Sequence, residues 1–116
     1  MKQVTIYSGC RFDFKTRTGR YFAALEYQGK IKKISAEIQG EKETPNRVII
    51  QGLIASVELI KEPCELTFLT CTAVGFKSKN SPNVDLILRL KNLIADKGCR
   101  YSFSEISKAE IDQKTF

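Results

Sequence analysis

Two kinds of side chain in this 116-residue sequence could carry chemistry: four thiols, and a run of cations near the amino-terminal end. Cys10, Cys64, Cys71 and Cys99 form no C-x-x-C pair, and histidine is absent. A structural zinc ion would have to be assembled from four scattered thiolates, so four buried, reduced thiols are the expectation. A Ser–His or Cys–His nucleophile is excluded, because no imidazole is available as its base. Arg11, Lys15, Arg17 and Arg20 follow one another with a single acid, Asp13, among them. Such a run can neutralise a polyanion with neither a metal nor an acid–base pair.

The distribution of charge points the same way. The net charge is +6, with nine basic and five acidic residues in 1–44, two and three in 45–76, and eight and five in 77–116. The positive excess sits in the two ends around a nearly neutral middle, which permits nucleic-acid binding without requiring it. A hydrophobic content of 42% is ordinary for a folded protein. The length suits one domain with one core, over 1–116. No apolar run is long enough to cross a bilayer, and Met1-Lys2-Gln3-Val4 leads straight into a strand pattern with no secretory leader. The cytoplasm is therefore the expected compartment.

The elements that must position these groups are organised around residues 44–60. Thr44 can cap a helix through its hydroxyl, and Pro45 suits the first helical position, where no backbone N–H is needed. Ile49, Ile50, Leu53, Ile54, Val57 and Ile60 give an apolar face broad enough to lie against a sheet. Gly52, Ala55 and Ser56 are small, so a neighbour can approach closely. Before this helix, Val4–Tyr7 alternates as a strand, Ser8–Gly19 reads as a basic loop or the frayed start of the next strand, and Tyr21–Tyr27 is the second strand. Gln28-Gly29-Lys30 is a tight turn. Ile31, Ile34, Ala36 and Ile38 mark a third strand, expected to bulge near Lys32-Lys33, where the alternation slips. After Lys61-Glu62-Pro63, Glu65–Thr70 reads as a central strand with apolar character on both faces. Thr72–Phe76 could make one or two helical turns, followed by a loop over 77–80. Ser81-Pro82 opens a helix running to Gly98, and Arg100–Ile106 is the last strand. Residues 107–116 form a short polar tail with room for two helical turns at most. The order β-β-β-α-β-α-α-β predicts an α/β protein with a five-stranded mixed sheet and helices packed on it.

These words in this order resemble the ribonuclease H family over roughly residues 3–106. Val4-Thr5-Ile6-Tyr7-Ser8-Gly9 stands where that family's first strand ends in an aspartate. Thr44-x-Asn46-Arg47-x-Ile49 is similar to its T-x-N-R-x-E helix start, and Leu69-Thr70-Cys71-Thr72 to its S-T-D-S strand end. Asn83-Val84-Asp85-Leu86 with Arg89-Leu90 resembles its last long helix before the final strand.

The resemblance implies a ribonuclease H-like fold. In that family, carboxylates clamp two magnesium ions that cut the RNA strand of a hybrid. The corresponding positions here are Gly9, Ile49 and Cys71: no side chain, an apolar one, and a thiol too soft for magnesium. The family's fourth carboxylate lies on a carboxy-terminal helix, for which Asp112 is the remnant, and its glycine- and histidine-bearing loop is absent. Of the other acids, Asp13 belongs to the loop after the first strand. Glu58 is about 13 Å along the helix from Ile49, and Asp85 suits a helix dipole. The expectation is therefore a domain without enzymatic activity, metal or cofactor. Its expected role is binding RNA, DNA or a hybrid through the backbone, weakly and without sequence preference, by Arg11, Lys15, Arg17, Thr44, Asn46 and Arg47. No RNP-like aromatic cluster is present to stack bases. The alternative is a protein-interaction or structural module of a larger nucleic-acid-processing assembly, with a protein partner and no membrane.

Overall fold

A computed structural model describes residues 1–75 and 81–116. Three strands come first: β1 (Lys2–Asp13), β2 (Thr18–Tyr27) and β3 (Lys30–Gln39). They are followed by α1 (Pro45–Glu58), β4 (Cys64–Thr70), α2 (Val84–Asp96), β5 (Arg100–Glu105) and α3 (Lys108–Thr115). The strands form one mixed sheet in the order β3-β2-β1-β4-β5. β1 pairs antiparallel with β2 and β2 with β3, whereas β4 runs parallel to both β1 and β5. This is the mixed α/β, five-stranded architecture that the element order predicts.

α1 forms where the apolar face demands it. The Thr44 hydroxyl accepts the Arg47 backbone N–H at 3.3 Å, and Pro45 fills the first turn. Val48, Ile49, Ile50, Leu53, Ile54 and Val57 are all buried. At about 1.5–3 kcal/mol per buried aliphatic side chain, this face contributes on the order of 10 kcal/mol of gross burial. α1 lies across β1 and β2, and α2 packs against it through Leu86, Ile87, Leu90 and Ile94. Close approach to the sheet is possible because residue 52 is glycine. A Cβ there would stand 2.5 Å from Ser8 Oγ and 3.1 Å from Tyr21 Cβ. At its far end, Lys97 reaches back to donate to the Glu58 and Ile60 carbonyls, closing α1.

The opposite face of the sheet carries a smaller cluster, in which Ile111 of α3 packs with Tyr7 and Ala24. Glu26 ties this helix down: Tyr7 donates to one carboxylate oxygen at 3.2 Å and Lys114 to the other at 2.8 Å. Residues 107–116 thus form a docked helix rather than a tail, short as the sequence suggested.

Five local expectations need correction. Ser8–Asp13 is strand, not loop, and β2 begins at Thr18. Arg11 and Arg20 therefore stand opposite each other in a ladder. β3 pairs with β2 residue for residue from Thr18↔Gln39 to Tyr27↔Lys30, with no bulge at Lys32-Lys33. As the edge strand, it exposes Lys30–Lys33 throughout, so no alternation was needed there. No helix forms over Thr72–Gly75, and the expected loop 77–80 lies outside the described residues. The element order is therefore β-β-β-α-β-α-β-α. α2 begins at Val84 after Asn83, and the Ser81 hydroxyl accepts the Asn83 N–H instead of capping a helix at Pro82. All four cysteines are free thiols, but only Cys64 is buried; Cys10, Cys71 and Cys99 are half-buried. The turn behaves as expected, with positive φ at both Gln28 and Gly29.

Candidate nucleic-acid interface

The carboxy-terminal ends of β1 and β4, the start of α1 and the β1–β2 hairpin converge at one end of the sheet. Register explains the shape. β1 stays beside β4 only from Lys2↔Cys64 to Tyr7↔Leu69, whereas its pairing with β2 continues to Asp13↔Thr18. The last six residues of β1 therefore project with β2 and β3 as an arm, about 20 Å long at roughly 3.3 Å per residue. The arm is tethered near the start of α1: Gly40 N–H donates to the Arg17 carbonyl at 3.2 Å, and Arg17 Nη1 reaches the Glu43 carbonyl at 3.4 Å.

The cations divide into two groups. Arg11, Lys15, Arg17 and Arg20 are exposed on the arm. The acid among them, Asp13, accepts the Lys15 backbone N–H at 2.9 Å, so its carboxylate is directed into its own turn. Arg47 is not available in the same way. Its guanidinium donates to both carboxylate oxygens of Asp85, at 2.9 and 3.1 Å, and Glu43 lies 3.9 Å from its Nε. Arg47 was expected to contact phosphate; the structure commits it to Asp85 instead. This pairing holds the Asp85 carboxyl below its ordinary range, at about 2.

The two polar residues at the helix start keep donors. Thr44 uses its oxygen as an acceptor for the cap, which leaves its O–H free to donate. Asn46 accepts from Thr72 Oγ1 at 2.9 Å, which joins α1 to the chain leaving β4 and leaves the amide N–H groups for another acceptor.

Near this end, Gly9 and Ile49 are buried and Cys71 is half-buried. Gly9 is buried, and a Cβ on it would stand 2.8 Å from Ile111 Cγ2. Ile49 is 2% exposed and packs in the main core, its carbonyl accepting from the buried Ser8 hydroxyl at 2.9 Å. Cys71 is half-buried beside both hydrophobic clusters. Next to it, Cys10 is pushed up to about 11, chiefly by burial and then by Cys71, so it is a neutral thiol near pH 7. An isoleucine, a thiol and a glycine covered by a methyl group offer no hard oxygen donors, so these three positions do not fit a magnesium pair. Among the described residues, no three Cys, Asp or Glu side chains gather to hold an ion.

Sequence reasoning missed the aromatic partners of the cations. Arg17 lies over the Phe14 ring at 6.0 Å, and Phe14 packs edge-on against Phe12 at 4.9 Å. Arg11 lies over Phe116 at 5.0 Å and Phe22 at 6.0 Å, and those two rings are 4.6 Å apart. The alternation Arg11-Phe12-Asp13-Phe14 was the available signal, once the segment is recognised as strand.

A sheet of this order, crossed by one capped helix and backed by a short one, is the RNase H fold. Solved structures share it at low identity. The N-terminal RNase H domain of a Mycobacterium tuberculosis protein aligns with TM-score 0.77 and 15% identity over 98% of this chain and 88% of that one. RNase H1 from Halobacterium salinarum aligns with TM-score 0.75 and 16% identity over 97% and 91%. LC11-RNase H1, solved in complex with an RNA/DNA hybrid, aligns with TM-score 0.75 and 13% identity over 96% and 90%.

Two curated proteins named Ribonuclease H are similar in sequence. The one from Sulfurovum sp. is 34% identical over 80 residues, 68% of this chain and 52% of that protein. The one from Caldicellulosiruptor saccharolyticus is 34% identical over 73 residues, 63% and 49%. No family model matches. The chain belongs to the ribonuclease H-like family, and it spans about half the length of the curated relatives it matches. The expectation that it is not an enzyme is overturned by these relatives, which carry an enzyme's name. No helix among the described residues is long and apolar enough to cross a membrane.

Proposed function

We propose that this chain binds RNA, DNA or an RNA/DNA hybrid through the sugar–phosphate backbone, along the arm and the start of α1. The observation that carries this is the arm itself: Arg11, Lys15, Arg17 and Arg20 are exposed there, while Asp13 accepts a backbone N–H of its own turn and Glu37 of β3 stands opposite Arg20. Arg11, Lys15 and Arg17 take phosphates, and the Thr44 hydroxyl and Asn46 amide donate to backbone oxygens at the helix start. Family membership supports this choice of ligand, as does a structural neighbour solved with a hybrid.

The test is fluorescence anisotropy of a labelled hybrid titrated at several salt concentrations. On a duplex, each phosphate neutralised contributes about 0.9 to the slope of log affinity against log salt. Replacing Arg11 and Arg17 together should flatten the slope by somewhat less than two units while the protein stays folded, at a cost of about 1 kcal/mol for the Glu43 and ring contacts these side chains make. Absence of salt-dependent binding to hybrid, duplex and single strands at low ionic strength would sink this proposal.

A second proposal, a protein-binding role, draws on a groove at the other end of the sheet. Val4, Leu25, Tyr27, Leu59 and Ile60 line about 400 Å³ there together with Lys2, Lys30, Lys32 and Lys61, with Glu62 the lone acid. This chemistry suits an acidic peptide with apolar anchors. Retained peptide binding without any nucleic-acid binding would favour it.

A further inference from the structure

We propose that the arm is also a stacking site for unpaired nucleobases, so that the chain prefers a duplex bearing a single-stranded extension over a blunt one. The inference rests on the backbone-binding role above and adds a ligand feature to it. Phe14 is 64% exposed at the tip of a strand pair, where it fills no core. Its ring is held from one edge by Phe12, 4.9 Å away at 72°, and the Arg17 guanidinium lies over it at 6.0 Å. Both partners are fixed by the fold: Phe12 packs against the Tyr21–Ala23–Val48 cluster, and Arg17 is tied through its carbonyl to Gly40.

A second cluster of the same composition sits nearer the base of the arm. Gly9 pairs with Phe22, so Phe22 and Arg11 share the sheet face that α3 covers. There, Arg11 lies over Phe116 at 5.0 Å and Phe22 at 6.0 Å. Phe116 is half exposed. Aromatic rings interleaved with guanidinium groups present both π-faces and positive charge, the combination on which unpaired bases stack while phosphates are neutralised. Bases inside a duplex already have both faces stacked. Unpaired ones have a free face to offer, and this selects the extension.

The experiment compares a blunt RNA/DNA hybrid with the same hybrid carrying a short single-stranded extension that contains 2-aminopurine. Wild type should bind the extended hybrid more tightly, by about 5- to 160-fold for one stacked base, and quench the 2-aminopurine fluorescence. The gain should change little with salt, unlike the backbone contribution. Phe14→Ala and Phe14→Leu should lower both gain and quench while binding blunt hybrid as wild type does; Phe14→Tyr should keep both. Leucine keeps the apolar surface and removes the π-face, so an equal gain in Phe14→Leu would overturn stacking. Equal affinity of wild type for both hybrids, without quenching, overturns the inference and leaves the backbone role intact. Failure to bind either hybrid removes both.

Discussion

Arg47 and Asp85 grip each other through two hydrogen bonds, at 2.9 and 3.1 Å, and so join the first turn of α1 to the first turn of α2. The two ends of the pair differ in exposure: the Arg47 side chain is 16% exposed and Asp85 63%. The interaction therefore orients two helices while one partner remains in water.

The pair gives a pH signature. The Asp85 carboxyl titrates at about 2 in the folded chain instead of 3.8, first because of its hydrogen bond from Arg47. A depressed carboxylate stabilises the fold fully above its unfolded pKa, and that contribution is lost as pH falls from about 4 to 2. Solvent around Asp85 screens the pair, so Asp85→Asn should cost only about 0.5–1 kcal/mol at pH 7. Urea titrations should show wild type and Asp85→Asn differing at pH 7 and converging towards pH 2. A difference that survives at pH 2 would show that the carboxylate charge is not its source.

Gly9 and Ile111 should be coupled. A Cβ at position 9 meets the Ile111 methyl at 2.8 Å, and overpacking of this kind costs about 1–3 kcal/mol. Gly9→Ala should therefore destabilise, and Ile111→Ala should cost about 2–5 kcal/mol through its cavity. Because the cavity accommodates the new methyl, the double variant should cost less than the sum, by about 0.5–3 kcal/mol. Additive costs in a double-mutant cycle would mean that α3 does not press on Gly9 in solution.

Cys10 should be slow to alkylate. Its thiol is pushed up to about 11 by burial and then by the neighbouring Cys71, and the thiolate is the reactive form. Mass-resolved iodoacetamide labelling at pH 7.5 should modify Cys10 far more slowly than an unfolded control peptide. The rate should climb about tenfold per pH unit until the thiol titrates. Labelling at the control rate would show that Cys10 is not sheltered.

The parts legible from sequence were those where one residue type has one physical use. Thr44-Pro45 marked the start of α1 because a cap hydroxyl and a missing N–H suit only that place, and Gly29 marked the turn between β2 and β3. The arm was illegible for the converse reason: Arg, Lys, Thr and Gly between Ser8 and Arg20 look like loop, although cross-strand pairing makes Ser8–Asp13 and Thr18–Arg20 strand and leaves only residues 14–17 as the turn. In β3, the slip at Lys32-Lys33 looked like a bulge because an edge strand need not alternate. Arg47 was visible as a cation, but its partner Asp85 lies 38 residues away, which no local pattern encodes. Gly9, Ile49 and Cys71 stood out only through the family resemblance, which does not tell that Gly9 and Ile49 are buried and Cys71 half-buried. That α3 covers Gly9 with Ile111 required the tertiary structure.

Gly52 sets two effects of opposite sign against each other. Replacing a mid-helix glycine by alanine should stabilise α1 by about 0.8–1 kcal/mol. Here the added methyl would lie 2.5 Å from Ser8 Oγ and 3.1–3.2 Å from two Tyr21 carbons. Neither neighbour yields cheaply. Ser8 is fully buried and its hydroxyl is bonded to the Ile49 carbonyl, while Tyr21 is buried at 8% exposure. Overpacking of about 1–3 kcal/mol should exceed the propensity gain, so Gly52→Ala should be less stable than wild type by about 1 kcal/mol in urea denaturation. Ser8→Ala removes the nearest atom, so in that background Gly52→Ala should cost less and could approach neutrality. If Gly52→Ala stabilises the wild-type protein, α1 has room to rise from the sheet, and the close approach is not a constraint on this fold.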